Sequence, residues 1–495
     1  MHRSSITRRS FVTTATALGV GAASLPTGAR AAGGSPGPYL PTDESLSTHP
    51  TPQWWKAAKF GIFIHWGPYA VPAWGAPMSY QGAEWYMYGM RIAETPGGTH
   101  EHHRDAWGTA YQYDSFIPRF TAERYDPDAW VDLFERAGAR YFVLTSKHHD
   151  GFQLFPNRAS NRNSVMMGPR RDLVGELFDA ARHSRLKRGL YHSLGEFYNP
   201  ALAAPPWDAY TLEPIPYTGY KHVDDYVSQY LHVMIRTLVE RYDPDLLWGD
   251  GQHWHVDLGA GEIFKPQDMD WRGNEILAYF YNNAANRPRP KEVLVNDRFE
   301  ADHRDHAVLE SDKTGYTLRP DPWEACLTFG RSWGYDTNDV PGATKTGTDI
   351  VRLLVDIVSK NGNLLFNVGP RADGTIPEWQ AERLLEVGHW LDTNGAAIHD
   401  STTWTRAEDP DLRYTISGEA FDEAFNIVGL NWPAGPTVTV PADLPVASDA
   451  RIRLLGSGDE RPLDFRRTDA GIEIDLPARN PNRDGYPFVL AVTGP

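Results

Sequence analysis

From Trp54 to about residue 400, short apolar runs alternate with amphipathic stretches. The runs "FGIFIHW" (60–66), "YFVLTSK" (141–147), "RGLYHSL" (188–194) and "DLLWGD" (245–250) read as strands. So do "EVLVND" (292–297), "HAVLES" (306–311), "RSWGY" (331–335) and "NLLFNVG" (363–369). Helical patterns lie between several of them. In "DPDAWVDLFERAG", Asp126 fits an N-cap, Pro127 the first helical position and Gly138 the stop. In "TDIVRLLVDIVSKNGN", Ile350, Leu353, Leu354, Ile357 and Val358 fall at helical spacing, and Asn361-Gly362 ends the run. Strand–helix alternation predicts a parallel sheet. About eight strands in ~350 residues fit a closed barrel better than an open sheet. The expected fold is therefore α/β: a (β/α)8-like, TIM-type barrel over 51–400.

The texture changes at the two ends. After Ser401, "TVTVPADLPV", "RIRLLGS", "GIEIDLPA" and "FVLAVTG" are alternating segments separated by Pro, Gly and Asp. They predict a C-terminal all-β domain over 401–495, a β-sandwich. Residues 32–50 are rich in Gly, Pro and Ser and read as a linker. Residues 1–31 read as an export signal. Arg8-Arg9 in "TRRSFV" fit the twin-arginine pattern, a weakly apolar run follows, and Ala29 and Ala31 offer an A-x-A cleavage site. The apolar run is too short and too rich in Ala, Thr and Gly for a membrane anchor.

Charge and composition then narrow the function. Removing residues 1–31 takes away four arginines and no acids, moving the net charge from −16 to −20. So acidic a chain disfavours a nucleic-acid partner. The single cysteine, Cys326, excludes internal disulfides and a cysteine-based zinc site, and in "WEACLTF" it reads as a small buried hydrophobe. The 17 Trp and 23 Tyr suit core packing, and equally suit stacking on sugar faces. No motif speaks to oligomeric state.

In a barrel, chemistry collects where strands end. Here the apolar runs end in His65-Trp66-Gly67, Lys147-His148-His149-Asp150, Trp248-Gly249-Asp250-Gly251, Asn296-Asp297-Arg298, Glu310-Ser311-Asp312 and Trp333-Gly334-Tyr335, and the third carries Tyr191 and His192. Metal catalysis is not expected. Adjacent His148 and His149 on a strand would point to opposite faces, and the H-E-x-x-H spacing is missing. "HEHHRD" (100–105) reads as a solvated surface loop. Asp250 and Glu310 are sharper candidates, because two carboxylates facing one aromatic pocket are what glycoside cleavage requires. For Asp250 a helix N-cap is the plainer alternative.

Taken in order, "KFGIFIHWGPYAVPAW", "EWYMYGM", "GARYFVLTSKHHDGF", "DPDLLWGDG", "VNDR", "SWGY" and "VSKNGNLLFNVGPRADGTIP" resemble an α-L-fucosidase of glycoside hydrolase family 29. The resemblance covers roughly residues 50–400 and implies a retaining exo-glycosidase with no cofactor. It implies a fucosylated glycan as substrate and Asp250 as the nucleophile that forms a covalent fucosyl-enzyme. It also implies sugar-binding roles for His65, Glu84, Trp85, His148, His149, Tyr191, Trp248 and Arg298, with Asp150 supporting the "KHHDG" loop. The proton donor is less sharply marked. Glu310, twelve residues beyond Arg298, is the choice; Glu324 is the strongest rival, ahead of Asp312 and Glu300. A non-catalytic carbohydrate-binding protein and an α-L-galactosidase are the alternatives on the same fold.

Overall fold

The computed structural model describes residues 37–77, 82–93, 96–202, 206–252, 269–310, 315–418, 424–459 and 461–494. The export-signal reading of residues 1–31 lies outside them. Eight parallel strands form one sheet: β1 (Phe60–Ile64), β2 (Tyr141–Lys147), β3 (Lys187–Ser193), β4 (Leu246–Asp250), β5 (Leu294–Val295), β6 (Ala307–Leu309), β7 (Trp323–Leu327) and β8 (Gly362–Val368). Their order is β5-β4-β3-β2-β1-β8-β7-β6. A parallel bridge between Asn296 and His306 joins the two ends and closes the ring. Between the strands run helices such as Pro127–Arg136, whose Asp126 cap accepts from the Ala129 amide at 3.0 Å. Such a cap contributes about 1 kcal/mol. Another, Gly347–Ser359, starts with a full capping box at Thr346 and Asp349.

The strand interiors are apolar on both faces, as a sheet between helices and a filled barrel demands. Phe63, Tyr141, Val143, Tyr191, Leu246, Trp248, Cys326 and Leu365 pack together as the barrel filling. The sandwich has a core of its own. β9 (Ser401–Asp409), β10 (Leu412–Ser417), β11 (Ala424–Gly429), β13 (Arg451–Leu454) and β16 (Phe488–Thr493) form one antiparallel sheet. β12 (Thr437–Val440), β14 (Phe465–Thr468) and β15 (Gly471–Asp475) form the other. Ile427 and Leu490 of the first sheet share a buried cluster with Val440, Ile472 and Ile474 of the second.

Three expectations need correction. The seventh strand is Trp323–Leu327, not 331–335. Glu324 interrupts its apolar pattern, whereas "RSWGY" has the aromatic content of a strand but forms a loop. Residues 37–50 are no linker. Leu46 is fully buried, and Asn282 brackets Tyr39, its amide oxygen accepting the Tyr39 N–H at 2.9 Å and its NH2 donating to the Tyr39 carbonyl at 2.7 Å. "HEHHRD" lies within a helix, Thr99–Trp107, where buried His103 bonds the Tyr86 hydroxyl and the Tyr111 carbonyl. Among the described residues, no helix is long and apolar enough to cross a membrane.

Candidate active site

One cavity of about 120 Å³ opens at the C-terminal ends of the strands. Its lining contains all ten residues chosen from the sequence: His65, Glu84, Trp85, His148, His149, Tyr191, Trp248, Asp250, Arg298 and Glu310. Phe63 and Trp333 complete the wall.

Asp250 is the last residue of β4 and is no helix cap. The glycines on either side let it stand at a crowded corner. A Cβ on Gly249 would sit 2.8 Å from the Arg298 carbonyl, and Gly251 has φ +73°, a conformation that disfavours side chains. Its carboxylate accepts the Tyr191 hydroxyl at 2.8 Å on Oδ2 and Arg298 Nη1 at 2.9 Å on Oδ1. The same Arg298 nitrogen donates to Glu310 Oε1, so one guanidinium joins the two acids. Arg298 in turn lies over the Trp248 ring, 5.0 Å from its centroid.

β2 ends at Lys147, so neither His148 nor His149 is bound by strand alternation, and both rings face the cavity, 4.1 Å apart. The Ser193 hydroxyl donates to the Gly195 carbonyl, so His149 Nδ1 must carry the proton that reaches Ser193 Oγ at 2.6 Å. Its Nε2 is then an acceptor, 3.5 Å from Asp250 Oδ2. His65 is oriented likewise: Nδ1 donates to Asn367 Oδ1 at 2.7 Å, and Asn367 is held by its own bond to the Trp333 carbonyl. His148 Nδ1 is buried with no hydrogen-bond partner among the described residues. A buried ring nitrogen in that state calls for a polar ligand. Asp150 does support the loop, accepting the Tyr113 hydroxyl at 2.7 Å and the Phe152 amide at 3.1 Å.

The family model for alpha-L-fucosidase matches residues 28–396. The chain is 35% identical to rat tissue alpha-L-fucosidase over 442 residues, 88% of each chain. It is also 35% identical to the human tissue enzyme over 454 residues, 90% of this chain and 89% of that one. A solved Thermotoga maritima alpha-fucosidase in complex with fucose is 36% identical and superposes with a TM-score of 0.75, covering 92% of this chain and all of that one. The chain belongs to the alpha-L-fucosidase family.

Within this fucosidase-family pocket, electrostatics separate the acids. Burial acts to raise Asp250, but the Arg298 guanidinium, helped by the Tyr191 hydroxyl, outweighs it and holds the carboxyl below the usual range. Glu310, at the open side of the cavity, is held above its usual range by lost hydration among its neighbours and by the Asp250 charge, against the pull of Arg298. Burial pushes Glu84 up to about 7, although its Oε2 accepts the Trp333 and Gly334 amides, each at 3.0 Å. Burial also lowers His65 to about 3 and His149 to about 4, so both rings are neutral.

The rival acids are elsewhere. Glu324 lies inside the barrel on β7, fully buried, accepting the Tyr141 hydroxyl at 2.6 Å and the Trp248 indole N–H at 3.0 Å. It braces an aromatic wall from behind. Glu300 is not in the cavity lining, and Asp312 lies outside the described residues. Sequence reasoning places Trp333 among the strand ends on the rim but gives it no role, and it misses Phe63. Phe63 is hidden in an apolar strand, where nothing distinguishes a cavity wall from core. Trp333 sits in "SWGY", whose aromatic content mimics a strand, but it reaches the cavity from a loop.

Proposed function

We propose that this chain is a retaining α-L-fucosidase that removes terminal α-L-fucosyl groups, with Asp250 as nucleophile and Glu310 as acid/base. The observation that carries the assignment is the single Arg298 nitrogen shared by the two carboxylates. Two hydrogen bonds to one atom bound the gap between the nearest oxygens at about 6 Å. Retention needs about 5–5.5 Å and inversion at least about 6.5 Å. The opposite displacement of the two acids supports the division of labour.

Asp250, ionised, attacks the anomeric carbon while Glu310 gives its proton to the departing glycosidic oxygen. A covalent fucosyl-enzyme and a free aglycone result. Glu310, now a carboxylate, takes a proton from water, whose oxygen attacks the same carbon. Fucose leaves with its α configuration, and both acids return to their starting states. Neutral His65, His148 and His149 exchange hydrogen bonds with ring hydroxyls, and Glu84 accepts from them. Phe63, Tyr191, Trp248 and Trp333 offer apolar faces suited to the C5 methyl group. That wall favours fucose over L-galactose, which carries a hydroxyl at C6. The relative solved with fucose supports the substrate class.

The test is a screen of aryl and natural α-L-fucosides differing in linkage, with product configuration followed by proton NMR. Inactivity on all of them would overturn the reading. For the leader we propose twin-arginine export, supported by "TRRSFV" and the A-x-A site. Replacing Arg8-Arg9 with Lys-Lys should retain the protein in the cytoplasm; undiminished export of that variant would contradict this route.

A further inference from the structure

The barrel is thinnest between β5 and β6, strands of two and three residues joined through the Asn296–His306 bridge. Beside that seam three side chains converge from distant parts of the chain. One ring nitrogen each from His49 and His303 and an Asp305 carboxylate oxygen all lie within 4.8 Å of one another. They are shielded from solvent: the side chains of His49, His303 and Asp305 are 7%, 13% and 0% exposed.

The cluster is oriented from outside. Asp305 Oδ2 accepts the Val295 amide at 2.8 Å and the Tyr281 hydroxyl at 3.0 Å. That fixes the carboxylate so that Oδ1 faces His49 Nδ1 at 2.8 Å and His303 Nε2 at 3.2 Å. The His49 ring lies flat on Tyr281, with centroids 3.6 Å apart and 1° between planes. Groups that are not themselves ligands thus set the ring and carboxylate directions, the supporting arrangement that metal ligands usually have.

We propose that His49, His303 and Asp305 form a structural site for a zinc-type divalent ion, with water completing the coordination. Two imidazoles and a carboxylate oxygen are a donor set that zinc accepts. On binding, each neutral imidazole turns a lone pair to the ion and carries its proton on the far nitrogen, and Asp305 Oδ1 supplies the third bond. The ion would staple the segment around His49, already tied by the Thr51 hydroxyl to the Asp305 carbonyl at 2.7 Å, across the weakest seam of the barrel. Motif spacing cannot reveal such a site, because His49 and Asp305 are 256 residues apart. The competing account is a plain hydrogen-bonded hub, two ring N–H groups donating to one oxygen.

The experiment uses the tag-free chain, stripped with EDTA, dialysed and titrated with zinc chloride by calorimetry while thermal melting is followed. The site predicts one bound equivalent and a Tm increase of roughly 3 °C at about 100 times Kd. His49→Gln and His303→Ala should each weaken uptake by more than roughly 100-fold, since loss of even a supporting group costs about 10–100-fold. Fucoside hydrolysis should survive in both variants. Cobalt(II) added to the stripped wild type should give visible d–d bands of a nitrogen–oxygen site, a readout independent of how the variants fold. No uptake by the wild type, or equal uptake and equal Tm shift in both variants, would leave only the hydrogen-bonded hub.

Discussion

The two carboxylates stand on unlike halves of the same rim. Asp250 ends the five-residue β4 and is gripped by Tyr191, Arg298 and the turn at Gly251. Its side chain is 13% exposed. Glu310 follows the three-residue β6, bonds Arg298, and is 41% exposed. A nucleophile must meet one carbon at one angle and profits from a stiff mount. An acid/base must serve a departing oxygen and later a water, and a more open position suits both. The rim teaches that rigidity is spent on the bond-forming group and access on the proton-transferring one.

Mutations can break that comparison. The largest effect expected is at the stiff side. Asp250→Ala should lower kcat by at least about 10⁴-fold on every fucoside while the fold and fucose binding persist. Azide should rescue it with inverted β-L-fucosyl azide. Glu310→Ala should cost about 10²–10⁴-fold on natural glycosides and much less on aryl substrates with good leaving groups. Azide should there yield the retained α-L-fucosyl azide. Glu324→Ala gives no azide adduct if Glu324 only braces Trp248; an adduct there would move the acid/base assignment.

A finer test addresses the atom the two halves share. Activity should be bell-shaped in pH, with the acidic limb set by ionisation of Asp250 and the basic limb by loss of the Glu310 proton; the limbs report the coupled pair. Arg298 lowers both acids. Removing it in Arg298→Met should therefore raise both, moving both limbs to higher pH. Limbs that stay in place would mean that Arg298 does not set the proton affinities. Smallest of all should be discrimination at C6. α-L-fucosides should exceed α-L-galactosides by about 10–100-fold in kcat/KM, since an apolar pocket rejects an added hydroxyl only modestly. Trp333→Ala should narrow that ratio.

The same asymmetry governed what could be read from the chain alone. Strands β1 to β6 and β8 were legible because each is an apolar run ended by polar or aromatic residues, and Asp250 is one such end. β7 was harder: Glu324 breaks its apolar pattern, and "RSWGY" mimics a strand although its backbone N–H groups serve Glu84. Residues 37–50 looked like a linker because composition registers Gly and Pro but not the Asn282 side chain waiting 243 positions away. The helix at 99–107 was hidden by its histidines, whose partners Tyr86, Tyr111 and Tyr210 come from elsewhere in the chain. Local pattern is visible in sequence; partners distant along the chain are not.

The central claim, that the acid on the stiff wall becomes covalently bonded to the sugar, has one direct measurement. The wild type is inactivated with 2-deoxy-2-fluoro-α-L-fucosyl fluoride, digested, and the labelled peptide sequenced by mass spectrometry. A single adduct on Asp250, released slowly with recovery of activity, is the predicted result. An adduct on another carboxylate, or slow turnover with no adduct and an inverted first product, would contradict it.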